Sequence, residues 1–411
     1  MTPEQLADAL LTAVRTQGFE NTPDSLAAGK PIARFPSIDL AVIAFVAGAA
    51  PVAANVLFSR EHPQGIVATL PENLGSASDI RNAHFVADMT DPQLRSIAWR
   101  AETDWANTAW PAYCGSGAHR FVAPYPASLI KLMVLVGVTR GVDAGRCAWE
   151  TDWHFDGETH SVHWWADRMM VVSCNRATSA MVALLHHMGT IVRTDRETRN
   201  ELNEVFATYG MSSLRLCNTR EDGGWTNAAG AGVGHLQMTA WDTVRLLWLL
   251  DEDAPVATWL AATHPPLPPL VSITSRQRIR SILEQQALHE VLSSTALAGM
   301  DDWCVGIPAQ LAPRWVKDDG SVDTGDQCFP ADVRPANLAA QVRFAHKTGT
   351  TENYLSDAGI VRGVSPAQRH YMIAMISNLG SRFAPEPTCA TDWRVPALGA
   401  AIDGYLASQL E

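Results

Sequence analysis

The apolar pattern of this chain changes period twice, and that change narrows the folds open to it. Runs at 39–47, 52–59 and 65–70 read as strands. From Ala127 the pattern turns helical. Leu129, Leu132, Met133 and Val136 follow the i, i+3, i+4, i+7 spacing of a core-facing helix, and helical patterns recur at 162–188, 198–209, 239–250 and 275–293. Strand-like runs return at 342–345, 354–361 and 370–377, and the chain closes on a helix over 395–410. Strands near both ends with helices between them predict one sheet drawn from both ends and a helical subdomain inserted into it.

The expected fold class is therefore α/β (α+β), an antiparallel sheet flanked by helices beside an all-helical subdomain. Its divisions are an N-terminal extension at 1–35, a discontinuous α/β subdomain at 36–125 and 300–411, and the helical subdomain at 126–299. Residues 72–118 lack sustained periodicity and read as an irregular insertion with one helix near 91–103. Residues 210–238, rich in Gly, Asn and Ser, read as a long loop, and the prolines of 264–269 as a rigid connector.

One segment is ambiguous. LAVIAFVAGAAPVAANVLF, residues 40–58, carries no charge over a length that would span a bilayer. Gly48, Pro51 and Asn55 interrupt it, and the turn-like centre favours a buried β-hairpin over a membrane span. The first residues lack the basic stretch and apolar core of a signal peptide, so the expected location is cytoplasmic. Seven scattered cysteines with no CxxC pair fit free thiols in a reducing compartment. A formal charge of −12 without any Lys/Arg run speaks against a nucleic-acid partner. His160 with His163, and His186 with His187, lack an acidic partner at helical spacing, so neither metal nor cofactor is expected. The expected partner is a small molecule, and nothing in the sequence sets the oligomeric state.

Three short motifs carry chemistry. Ser128-Leu129-Ile130-Lys131 opens a helical run after Pro124 and Pro126, and three residues on a helix bring the hydroxyl and amine to one face. A serine becomes nucleophilic when a neighbouring base takes its proton, and a lysine whose pKa is lowered can be that base. Ser173-Cys174-Asn175 ends the apolar run 169–172 and begins another helix; alone it reads as a polar break. Lys347-Thr348-Gly349-Thr350 ends a strand, where a small edge residue lets a substrate lie along the backbone beside hydroxyls and a charge.

Together, in this order, the three motifs resemble the signature of the serine β-lactamases and penicillin-binding transpeptidases: SxxK, then SxN, then KTG. The flanks are similar too, as in Phe121-Val-Ala-Pro-Tyr-Pro-Ala-Ser128 and in WWADRMMVVSCNRATSAMVALL from 164 to 185. The resemblance spans roughly 36–60 and 119–408, with insertions near 61–118, 190–198 and 315–341, and is strongest to the class A branch. It implies that Ser128 forms an acyl-enzyme with Lys131 as proton acceptor or relay. Ser173 would pass a proton to the leaving group and Asn175 would hold a substrate amide. Lys347 would supply positive potential, Thr348 and Thr350 with the intervening Gly349 would meet an acidic substrate group, and the backbone N–H groups of Ser128 and Thr350 would form an oxyanion hole.

The chain departs from that pattern in three places. Class A enzymes carry a loop glutamate that activates the deacylating water; within 216–237 the nearest match is Glu221, one residue out of register. Cys174 stands in the middle of the SxN motif, where packing is its expected role. The strand after Lys347 has Ser356-Asp357-Ala358 where the family reads a substrate carboxylate with Arg, leaving Arg362 or Arg382 as substitutes. Trp153, His154 and Phe155 precede the second motif at the expected site entrance, as gate or as packing. Open readings are a β-lactamase; a cytoplasmic amide or ester hydrolase or transacylase of small-molecule metabolism; a peptidoglycan carboxypeptidase, least favoured; and a β-lactam-binding sensor that acylates and stalls.

Overall fold

The computed structural model describes residues 1–93, 95–193, 198–226, 238–261, 265–384 and 392–411. Six strands form the central sheet: β1 (Ile38–Ala44), β2 (Val52–Phe58), β3 (Ile66–Val67), β4 (Val342–Thr350), β5 (Leu355–Gly363) and β6 (His370–Ser377). Their order is β4-β5-β6-β1-β2-β3, every neighbouring pair antiparallel. The join between the two ends of the chain is β6 on β1, with Tyr371 opposite Ala44 and Ser377 opposite Ile38.

Both faces of this sheet are covered, which explains the unbroken apolar run at 40–58. Side chains alternate across a strand. Leu40, Val42 and Ala44 face one core with Val56 and Phe58, whereas Ala41, Ile43 and Leu57 face another. The hairpin reading of this segment holds, with β1 and β2 paired from Ile38–Phe58 to Ala44–Val52. Among the described residues no helix is long and apolar enough to cross a membrane.

The outer face is covered by α1 (Pro3–Thr16) and by the C-terminal helix α9 (Arg394–Leu410). The start of α1 is fixed locally: Thr2 accepts from Gln5 N, the Gln5 side chain returns to the Thr2 backbone, and Pro3 stands in the first turn. Leu6, Leu10 and Val14 then fall on one face against the sheet. The segment read as an extension thus supplies a layer of the core.

The inner face meets the helical block. It comprises α2 (Lys131–Asp143), α3 (Val162–Val171), α4 (Asn175–His187), α5 (Glu201–Thr208), α6 (Ala240–Leu250) and α7 (Ile273–Leu283). Helix α6 lies directly on the sheet and is anchored by buried Asp39 on β1, which accepts from Ala240 N at 2.8 Å, one of the free N–H groups of the first turn. This is the β-lactamase/transpeptidase-like arrangement the resemblance implies: antiparallel sheet, helices on both faces, helical block against one of them.

Two local expectations fail. Among the described residues of 91–103 no helix forms, and turns ring a small core of Val86, Ala98, Trp105 and Val122. In its place residues 83–123 build a three-stranded sheet, with Ala83–Ala87 between Ala112–Gly115 and a parallel partner, His119–Ala123. The helix expected over 275–293 ends at Leu283, and residues 284–292 run irregularly. The 315–341 insertion folds on a core of its own, Leu297, Leu311, Val322, Phe329 and Val333, and includes the short α8 (Arg334–Leu338). Of the expected loop 210–238, residues 227–237 lie outside the described residues, as do Cys389 and His264. The six described cysteines are unbridged.

Candidate active site

The structure brings the three motifs to one cleft between the helical block and the sheet edge. Its lining includes Ser128, Ser173, Asn175, Thr348 and Thr350. Its volume is about 330 Å³, room for a small molecule.

Ser128 lies in a 3₁₀ turn, Ala127–Ile130, that runs straight into α2, so it stands at the N-terminus of a long helical stretch. Free N–H groups and the positive end of the helix dipole gather there. The turn is strained, since Ala127 has φ +50°, a left-handed value that non-glycine residues rarely adopt. The backbone of this turn is held against the end of β4. A Cβ added at Gly349 would sit 2.7 Å from Ser128 N, 2.7 Å from Pro126 O and 2.5 Å from Ser356 Oγ. Glycine is required there by close approach. Ser356 completes the junction by donating to Pro126 O at 2.6 Å.

Behind Ser128 lie two buried amines with one hydroxyl between them. Lys131 Nζ is 2.9 Å from Ser173 Oγ, 2.9 Å from Asn175 Oδ1 and 2.5 Å from Ser173 O. Lys347 Nζ is 3.0 Å from the same Ser173 Oγ and donates to Thr348 O at 2.7 Å. Burial lowers the Lys131 amine to about 7, against a small opposing effect of Cys174. Burial and the neighbouring Lys131 push Lys347 well down, against Asp357 and Glu290. A neutral lysine can accept a proton, and the Ser173 hydroxyl can donate to one amine while accepting from the other. Ser173 itself has φ +59°, a second strained position in the site. Among the described residues Lys131 bonds to Ser173 and Asn175, and no hydrogen bond joins it to the Ser128 hydroxyl.

Cys174 acts locally. Its Sγ caps α4, accepting from Ala177 N at 3.5 Å. Asn175 follows as the first residue of that helix, exposed toward the cleft.

Several sequence candidates are not brought together here. Glu221 is exposed, lies outside the lining, and has its charge felt by His186, eleven residues along α4 from Asn175, about 16 Å at helical rise. Arg362 is taken up by Asp251 and Asp253. Arg382 pairs with Asp24 and donates to Asn353. Neither arginine lines the cleft. Asp357 is fully buried, bonded to His346 Nδ1 at 2.8 Å and to Leu292 N at 3.1 Å. Trp153 and Phe155 are not in the cleft lining: Trp153 donates to Ala180 O, and Phe155 meets the Trp165 ring edge-on. Among the described residues no group of three His, Cys, Asp or Glu side chains is placed to hold a metal ion.

The motifs missed part of the lining. Leu288 and Glu290 come from the irregular segment 284–292, and Thr324, Asp326 and Gln327 from the turn of a hairpin, Val322–Asp323 with Cys328–Phe329, in the 315–341 insertion. The first segment is pinned between α3 and β4. Gln286 Nε2 donates to Met170 O at 3.0 Å and His346 O at 3.3 Å, and Ala287 N to Val171 O at 2.9 Å. Ala287, Leu288, Val291 and Leu292 keep a helical spacing in the sequence, so no local signal marked this break.

No family model matches the chain, and no curated protein does. Solved structures align with it loosely. A β-lactamase from Sphaerobacter thermophilus is 13% identical, with 98% of this chain and 95% of that one covered at a TM-score of 0.46. A representative class A β-lactamase from Bacteroides cellulosilyticus is 14% identical, with 100% and 99% covered at 0.41. The protein titled PBP-A is 16% identical, with 71% and 85% covered at 0.41. These likenesses are too loose to lend the chain any chemistry. The fold rests on the strand order and helix placement given above.

Proposed function

We propose that the chain is a serine acyl hydrolase of the β-lactamase and penicillin-binding type, acting through an acyl-enzyme on Ser128. The observation that carries this reading is the Ser173 hydroxyl held by two buried lysine amines beside a serine at a helix N-terminus. In the acylation step Ser128 Oγ bonds to the substrate carbonyl carbon while its proton passes to neutral Lys131. The oxyanion meets the backbone N–H groups of Ser128 and Thr350. The bond to the leaving group then breaks, and Ser173, resupplied by Lys131, gives that group a proton. Water hydrolyses the ester, returning the serine proton and releasing the acid. Asn175 holds a substrate amide, Thr348, Gly349 and Thr350 offer the strand edge, and Lys347 keeps Ser173 oriented.

The substrate is a β-lactam or a related amide or ester. A class A assignment draws on the sequence resemblance alone. The position of Glu221 outside the cleft favours a second reading, a β-lactam-binding module that acylates and stalls because Glu221 does not reach the ester. Intact-protein mass spectrometry with a penicillin and a chromogenic cephalosporin separates the two. An adduct absent from Ser128→Ala, with repeated colour turnover, supports a hydrolase; one stable equivalent supports the stalling module. Activity undiminished in Ser128→Ala would refute both.

A further inference from the structure

The wall of the cleft carries charge of one sign. Glu290 and Asp326 line it, and among the described lining residues there is no Lys, Arg or His. Lys131 and Lys347 lie behind the wall, where burial disfavours their charged forms. The two arginines available for an anionic substrate group are engaged elsewhere, with Asp251, Asp253 and Asp24.

Glu290 is the unusual member. It is 4% exposed, and its Oε2 has no hydrogen-bond partner. Buried carboxyl groups are ordinarily satisfied by donors, because leaving them bare is costly. This one is held in place from both sides, through Ala287 N on Val171 O and Leu292 N on Asp357. Lys347 draws its pKa down, but burial and Asp357 win and lift it to about 7. Lys347 directs its donors to Ser173 and Thr348 and makes no hydrogen bond to the Glu290 carboxyl, whose Oε2 is buried in the cleft wall. Asp326 also lines the cleft and is exposed, with Thr324 and Gln327 beside it.

We infer that the cleft selects an acyl substrate bearing a cationic group, an ammonium, which seats against Glu290 with Asp326 at the rim. This rests on Ser128 being the nucleophile. It reverses the expectation of an anionic substrate group, and the chain's net charge of −12 would draw cations toward the cleft mouth.

The test is a charge series of p-nitrophenyl esters: of γ-(trimethylammonio)butyric acid, of its isostere with a quaternary carbon in place of nitrogen, and of glutaric acid as the half-ester. Labelling of Ser128 by an uncharged fluorophosphonate is followed in parallel. The expected kcat/KM of the cationic ester exceeds that of the isostere roughly tenfold, with the anionic ester slowest. In Glu290→Gln the ratio falls to about two or less, and Asp326→Asn, an exposed change that leaves the core untouched, lowers it in part. A uniform drop for all three esters in Glu290→Gln, or a ratio that neither variant changes, would overturn the inference, as would the anionic ester reacting fastest. Unlabelled Ser128 would instead bring down the nucleophile reading and this inference with it.

Discussion

Lys131 and Gly349 are the two positions where single atoms decide the chemistry. With the Lys131 amine lowered to about 7 by burial, its neutral form predominates above that pH and its protonated form below. Labelling of Ser128 by the uncharged fluorophosphonate should rise about tenfold per pH unit below that point and level off above it. The limb belongs to the coupled pair Lys131 and Lys347, since each disfavours the other's charge. Lys131→Met should cost on the order of a hundredfold to ten-thousandfold in that rate and remove the limb; an unchanged profile would end the proton-acceptor role. Gly349→Ala forces a methyl against Ser128 N, Pro126 O and Ser356 Oγ. The expected result is a fold weakened by roughly 1–3 kcal/mol but a labelling rate down about a hundredfold, measured by thermal melting beside the labelling assay.

Two elements place the site, and both depend on contacts outside themselves. Helix α4 begins where Cys174 Sγ meets Ala177 N, so Cys174→Ala should cost about 1 kcal/mol or less, whereas Cys174→Ser should keep the cap; chemical denaturation distinguishes them. The segment 284–292 has no ladder of its own and hangs on Gln286 and Asp357. Removing the buried Gln286 amide with Gln286→Ala should cost about 1–3 kcal/mol and speed amide hydrogen exchange across 284–292 more than in α6. Equal exchange in both would show that the segment is held by something else. Tyr354 plays a comparable part after β4: it lies against the Tyr125 ring, accepts from Trp99 Nε1 and donates to Asp88, so the 83–123 region braces the turn that follows Thr350.

At the scale of the whole molecule the two chain ends share one core. Helices α1 and α9 lie side by side over the outer face of the sheet, and β6 pairs with β1. The sheet is incomplete without either end. Leu10, 1% exposed in that layer, should cost roughly 2–5 kcal/mol when changed to Ala, read in a urea or guanidinium melt. A loss within experimental error would mean that α1 is only appended. The same architecture opens the cleft along the seam between sheet edge and helical block, where side chains from distant parts of the chain converge.

The sequence alone determined whatever is written in neighbouring residues. The switch of period marked β1, β2, α2, α6 and the C-terminal strands. The charge-free run 40–58 was legible as a hairpin because Gly48 and Pro51 break it. The three motifs named Ser128, Lys131, Ser173, Asn175 and Lys347 through their order and the resemblance it carries; spacing alone put Ser128 and Lys131 on a shared face. Tertiary structure decided what depends on distant partners. It ended α7 at Leu283, because Gln286 and Ala287 find Met170, Val171 and His346 as partners in place of helical ones. It carried Glu290 and Asp326 to the cleft and left Glu221, Arg362 and Arg382 outside it. A charge in a sequence has no address until the backbone around it is satisfied, and here those hydrogen bonds came from elements 60 to 116 residues away.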